Sequence, residues 1–433
     1  MSFGTTRHGA VLAAIGASLA VMILLAGCGG GGSGSMANGG VPGGVAPSSL
    51  PPAVAQAKDQ NTAVDPAIVS ADNTFGLSLL NTLIPANAQG NTAIAPISVA
   101  MTLQIVYNGA AGSTQQAMAG TLQLGGLTVQ QLNSDNAALL AALIDPDPKV
   151  TVTVANSIWL NLSDNKVSDT FINADENYYG AEVGDLAGAP ANVNAWVATQ
   201  TNGLITQILP NGDYNTGQTA AVLANVVYFK GQWASAFDPQ QTAAVPFTLT
   251  DGTQTSVQMM QQTTSYPYLQ GPNFQALSMP YGQGRMSMLV VLPNAGVDLA
   301  SFVATVTAED INSWVSQMSS RVVAIALPRF TATYGTSLSG PLSTLGMGIA
   351  FDKNMADFSG ICAKAYLADA EHKTVVEVDE SGTVAAGATT VTIGITAVQT
   401  PDVRLTVNRP FFYVIRDNLT GEMLFMGVLM NPG

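Results

Sequence analysis

Between Thr383 and Thr400 the chain runs TVAAGATTVTIGITAVQT, eighteen residues without a charge, a proline or an aromatic ring. This stretch constrains the fold more than any other. Its first half is small: Ala385, Ala386, Gly387, Ala388. Its second half alternates the β-branched Val391, Ile393 and Ile395 with small or hydroxyl residues, the period of a strand. Yet turn-like clusters bound it, Glu377 to Gly382 before and Pro401-Asp402 after. Two readings stand at this point. It is one more buried strand with a hairpin return, or it is a long exposed loop able to enter a sheet. In the second case the small leading side chains pass between two strands without overpacking. A loop this long without structure of its own is usually functional.

Charge narrows the partners. The chain carries 14 Lys and Arg against 28 Asp and Glu, a formal charge of −14. Nucleic acid, heparin-like polymers and anionic membrane surfaces each require clustered basic residues, so no such site is expected. Two cysteines exclude a disulfide scaffold and a cysteine-built zinc site, and two histidines leave little for metal or triad chemistry. No metal and no cofactor is expected. With 47% hydrophobic and 10% charged residues, the chain is not a disordered acidic tail.

The N-terminus has the order of a secretory signal. Arg7 and His8 precede an apolar run from Ala10 to Ala26, and Leu25-Ala26-Gly27-Cys28 follows with the glycines Gly29 to Gly32. The run is too short and too weakly flanked for a transmembrane anchor. Leu-Ala-Gly-Cys resembles the bacterial lipoprotein box, so residues 1–27 are expected to be removed and Cys28 lipidated. Residues 28–60, rich in Gly, Pro, Ser and Ala, are expected to form a flexible tether. Gly29 is not acidic, which favours the outer membrane where a cell has one. Cys362 would then be a free, small core residue.

Residues 61–433 show no second linker, charge block or repeat and are assigned to one α+β domain. Helices come first. Ala71 to Ile84 has a stripe at Phe75, Leu79, Leu80 and Leu83, and Pro96 opens a helix over Val99 to Tyr107. Gly109 to Gly112 ends it, and Ser113 is expected to cap the next. Strands are predicted at Val150 to Val154, Val222 to Phe229, Met286 to Leu292, Val322 to Leu327, Val375 to Val378, Phe411 to Ile415 and Leu424 to Leu429, several as continuous apolar runs suited to burial on both faces.

The run His372 to Thr383, HKTVVEVDESGT, followed through Val384 by AAGATT, resembles the hinge of the serpins, the serine protease inhibitors. Asn91 to Thr121, Asn225 to Pro239 (NVVYFKGQWASAFDP), Met279 to Pro293, Ala356 to Ile361 (ADFSGI) and Asn408 to Pro432 resemble further segments of that family, in the same order. The resemblance implies helices packed around three β-sheets with a long exposed reactive loop, here at about 380–402. It also implies a suicide substrate. A protease attacks the loop, forms an acyl-enzyme, and is trapped when the cut loop inserts as a new strand of the main sheet.

Carried over residue by residue, Glu380, Gly382, Thr383, Ala385, Ala386, Gly387 and Ala388 match the inhibitory hinge. Thr383, Ala385 and Gly387 would share the inward face of an inserting strand. Val384 departs from the usual glutamate but falls on the other face. The family's spacing from Glu380 puts the reactive bond at Thr396 and Ala397, with Ile395 next in line. These residues point to elastase-like or subtilisin-like proteases, and the loop holds no Lys or Arg before Arg404 to attract a trypsin-like one. Ser98, Asn225 and His372 match the polar cluster where the sheet opens, and Trp233 matches the tryptophan at its top. Ala95 stands where the family commonly has serine, so one hydroxyl of that cluster is missing. A monomer is expected. The alternative function is a non-inhibitory serpin serving as a binding or scaffold protein. An enzyme is disfavoured because no Gly-x-Ser-x-Gly elbow occurs.

Overall fold

A computed structural model describes residues 17–26, 50–85, 90–161, 167–212, 214, 219–383 and 400–433. Among the described residues, seven α-helices fall in the first half: α1 Pro52–Asp59, α2 Pro66–Leu83, α3 Pro96–Tyr107, α4 Gly112–Thr121, α5 Val129–Leu143, α6 Asp169–Ala174 and α7 Ala191–Gln200. Pro66 and Pro96 sit in first turns, where the missing N–H costs nothing. Every residue of α3 is buried, so this helix carries no polar face and lies inside the molecule. Ser113 does not cap α4. The helix starts earlier, at Gly112 with φ +54°, and has no side-chain cap.

The strands among the described residues are β1 Ala17–Ala26, β2 Thr92–Ile94, β3 Val150–Leu160, β4 Ala181–Asp185, β5 Thr219–Gln232, β6 Ala243–Thr248, β7 Gln254–Gln270, β8 Phe274–Pro280, β9 Met286–Pro293, β10 Ser319–Pro328, β11 Phe330–Ser337, β12 Tyr366–Val378, β13 Gly382–Thr383, β14 Val403–Thr406, β15 Phe411–Asp417 and β16 Met423–Leu429. All seven predicted strands are present. They form two hydrogen-bonded sheets where the resemblance implied three. The second runs β14-β10-β7-β8-β9-β15-β16-β2, with β6 on β7. The seventeen-residue β7 pairs with β6 and β10 over most of its length and with β8 at its end. One strand thus carries the ladder through what would otherwise be two sheets.

The main sheet runs β4-β3-β5, then a central slot, then β12-β11. The slot is occupied twice. β13 fills its upper end, pairing Thr383 with Val378 of β12 and with Gly231 of β5. β1 fills the rest, antiparallel to β12 from Ser18 to Ala26 and to β5 from Ala17 to Ala26. Residues 17–26 of the expected signal thus pair within the main sheet of the unprocessed chain. The physical reason is alternation. Val21, Ile23 and Leu25 join the main core under the sheet, while Ala20 and Met22 pack with Val193 and Val197 of α7 on the other face. The aliphatic composition of a signal segment equally suits a strand buried on both faces.

Two further expectations change. The tether is not free to residue 60. Val54 and Ala57, one helical turn apart, bury a face of α1, which lies beside α5. Cys362 is buried but is not a free thiol; it is disulfide-bonded. The free-thiol reading assumed that lipidation had taken the second cysteine, Cys28, which lies outside the described residues.

Candidate functional site: the head of the central slot

The hinge is built on a tight turn. Asp379 accepts from the backbone N–H of Ser381 at 2.8 Å and of Gly382 at 3.1 Å, and donates its own N–H to the Gly382 carbonyl at 2.9 Å. This turn reverses β12 into β13. Gly382 has φ +153°, and a Cβ there would lie 2.0 Å from the Gly231 carbonyl oxygen, so only glycine fits. Burial raises the Asp379 carboxyl and the two backbone bonds offset part of that.

Glu380 anchors the turn from outside. Its carboxylate accepts from Thr242 Oγ1 at 2.6 Å and pairs with Arg329 at 2.5 Å. Burial pushes this carboxyl up, but those two bonds outweigh it and hold it below the ordinary range. Arg329 is half exposed, so the pair fixes geometry more than it adds stability.

Thr383 then turns inward and is fully buried. Its hydroxyl meets the Tyr281 phenol at 2.6 Å. Tyr281 is itself fully buried and stacks on Trp233 at 4.4 Å with the rings 10° apart. Burial drives the phenol far above its usual range, so it is neutral at any physiological pH. Trp233 donates Nε1–H to the Asp379 carbonyl at 2.9 Å and its backbone N–H to the Ser381 carbonyl at 2.9 Å. Trp233 is thus the clasp on the turn, not merely a core ring.

The polar cluster is divided. Ser98 donates to Asn225 Oδ1, and Asn225 donates from Nδ2 to Asn156 Oδ1 at 2.6 Å. Asn156 passes the chain on to the Tyr179 carbonyl at 2.7 Å. His372 stands apart and bonds Thr374 Oγ1 at 2.8 Å through Nε2. Val21 explains the gap, because it is the cross-strand partner of both His372 and Asn225. Burial lowers the His372 pKa to about 3, so the ring is neutral. The structure therefore joins Ser98 with Asn225, and Thr383 with the Trp233 clasp, but does not bring His372 to Asn225.

Ala385, Ala386, Gly387, Ala388, Ile395, Thr396 and Ala397 lie outside the described residues. Sequence reasoning missed Tyr281, Arg329 and Asn156. Tyr281 lay inside the Met279 to Pro293 segment, directly after the strand-ending Pro280, and Arg329 follows Pro328 in the same way. Those proline junctions mark strand ends facing the hinge. No group of three His, Cys, Asp or Glu side chains able to hold a metal occurs among the described residues.

The family model for Serpin (serine protease inhibitor) matches residues 70–432. Human Serpin B9 is 30% identical over 375 residues, spanning 84% of this chain and 99% of that protein. The leukocyte elastase inhibitor of Xenopus tropicalis is 31% identical over 378 residues, with 84% and 99% covered. Among solved structures, the thermophilic serpin tengpin in its native state superposes with a TM-score of 0.76 at 26% identity, covering 86% of this chain and 95% of the other.

Proposed function

Because the chain belongs to the serpin family of serine protease inhibitors, we propose that it is an irreversible suicide-substrate inhibitor of serine endopeptidases, working by insertion of its cleaved reactive loop between β5 and β12. One observation carries this reading. Thr383, the first hinge side chain, is already paired on both sides within the slot, and the next residues in sequence are small. Insertion then requires only that the existing two-residue strand lengthen. Small inward side chains can enter without forcing off-rotamer neighbours, which overpacking would cost ~1–3 kcal/mol apiece.

Chemically the serpin is attacked like any substrate, and the outcome is a race between insertion and deacylation. We place the reactive bond at Thr396-Ala397, with Ile395 the neighbouring choice, and assign elastase-like or subtilisin-like targets. The small and aliphatic sequence there and the name of the leukocyte elastase inhibitor among the relatives support this.

Export and anchoring through a lipid on Cys28 complete the proposal, with the outer membrane favoured. Among the described residues no helix is long and apolar enough to cross a membrane.

The test is incubation of the processed chain, without residues 1–27, with elastase-, subtilisin- and trypsin-like enzymes, read on a denaturing gel and by mass spectrometry of the released peptide. A covalent complex with an elastase-like enzyme and cleavage within Ile395 to Ala397 is expected. Thr383→Arg should be cut at the same bond yet form little complex, because the inserting strand would have to bury an unpaired charge. Clean cleavage of that processed chain without any complex by every enzyme would overturn the reading.

A further inference from the structure

The slot that the reactive loop must enter is already filled by another part of the same chain. We infer that the groove between β5 and β12 is a binding site for the N-terminal segment Ala17–Ala26, and that its occupancy blocks loop insertion. The inference rests on the insertion reading given above and adds its control.

Register makes the competition specific. β13 fixes how the loop would enter, with Thr383 opposite Val378 and Gly231. Continuing that register down the slot would set Ala386 opposite Val375 and Tyr228, and Thr390 opposite Glu371 and Ala224. Ser18 holds the first pair of partners, and Met22 the second. β1 therefore runs in the direction the loop would run, in the same register, on the same ladder groups. A backbone N–H or C=O serves one neighbour at a time, so the two segments cannot both be bound.

The chemistry the groove selects is an extended, uncharged strand with aliphatic groups on alternate faces. Val21, Ile23 and Leu25 enter the core on one side, and Ala20 and Met22 face α7 on the other. All five are buried. In that register Thr389, Thr390, Val391 and Thr392 would stand where Val21, Met22, Ile23 and Leu24 do, and each is smaller or more polar than the residue it would replace. The N-terminal segment therefore removes more apolar surface from water than the loop does, at roughly 25 cal/mol per Å². It is the stronger ligand of the two. The unprocessed chain is accordingly held in a form that a protease cuts without being trapped. Removal of the segment opens the slot and arms the inhibitor.

The experiment uses the purified full chain and the double variant Val21→Asp, Ile23→Asp, which places two charges on the core face of β1. Amide hydrogen exchange reports the slot directly and needs no variant. Residues 20–25 of the wild type should exchange as slowly as those of β5. With an elastase-like enzyme, the wild type should end almost wholly as cleaved product, and cleavage should leave its melting temperature unchanged. The double variant should exchange freely in that segment, form covalent complex in an at least tenfold larger fraction of turnovers, and melt higher after cleavage. Free exchange of residues 20–25 in the wild type overturns the inference. So does a protected segment in a wild type that traps as efficiently as the variant. A variant that exchanges freely, is cleaved, and neither traps nor gains stability refutes the insertion reading itself, and the control falls with it.

Discussion

The hydroxyl pair between Tyr281 and Thr383 offers a measurement of how firmly the hinge is held before any protease arrives. Both side chains are fully buried and their oxygens lie 2.6 Å apart. Tyr281→Phe keeps the ring and its stack on Trp233 but leaves the Thr383 hydroxyl as a buried polar group without that partner. Such an orphan costs about 1–3 kcal/mol. Thr383→Val, nearly isosteric, strands the Tyr281 phenol by the same logic and at a similar cost. In the double variant neither polar group remains, so most of the penalty should vanish. The cycle should therefore return single-variant losses of about 1–3 kcal/mol each and a coupling of opposite sign that cancels most of their sum. The assay is urea unfolding of the uncut chain, comparing midpoints at unchanged slope. Because the phenol is neutral, the coupling should not vary between pH 6 and 9. Single losses below about 0.5 kcal/mol, or a double variant that is simply additive within the usual ~0.3–0.5 kcal/mol, would refute the claim that this bond holds the hinge.

Asp72 is fully buried, accepts from Gln104 at 2.7 Å, and has its carboxyl pushed up to about 8 by burial; Glu422 is raised as well, by burial and by its neighbours Asp72 and Asp417. Across the window from about 4 to 8 the folded state holds a proton that the unfolded chain has lost, so this group's contribution falls as pH rises; Asp72→Asn should flatten that slope in urea midpoints measured across the window. His372 acts in the opposite sense, since its pKa is lowered to about 3 and the unfolded ring binds its proton first. Stability should be lost as pH falls from about 6.5 toward 3, and His372→Gln should remove that part of the acid slope. Cys28→Ala should shift the exported protein from the membrane to the soluble fraction, read by fractionation and blotting.

The secondary structure of the domain was legible because its signals are local. Continuous apolar runs marked β5, β9, β15 and β16, and Pro96 marked the start of α3. The hinge was legible because Glu380, Gly382 and Thr383 each need a particular residue type: an anchor for Arg329, a backbone with no room for a Cβ, and a small inward side chain. What lay hidden was non-local. Nothing in the spacing of Pro280-Tyr281 announces that the phenol meets Thr383, 102 residues on. The merging of two sheets depends on β7 keeping its ladder across seventeen residues, which sequence alternation alone does not decide. The strand at Ala17–Ala26 was not legible because aliphatic composition is shared by export signals and doubly buried strands. Only the vacancy between β5 and β12, itself a tertiary fact, separates the two.

That placement also has a timetable. β1 is made well before one wall of its slot, β12, which begins 340 residues after Ala26. At synthesis rates of about 5–20 residues per second, the segment waits roughly 17–70 s before its partner exists. During that interval it is an unpaired apolar peptide near the mouth of the ribosome, open to capture by any machinery that recognises such a peptide. A chain captured in time never closes on itself. A chain that escapes finishes folding with this segment locked into the sheet, so the fate of each molecule is set by which event comes first.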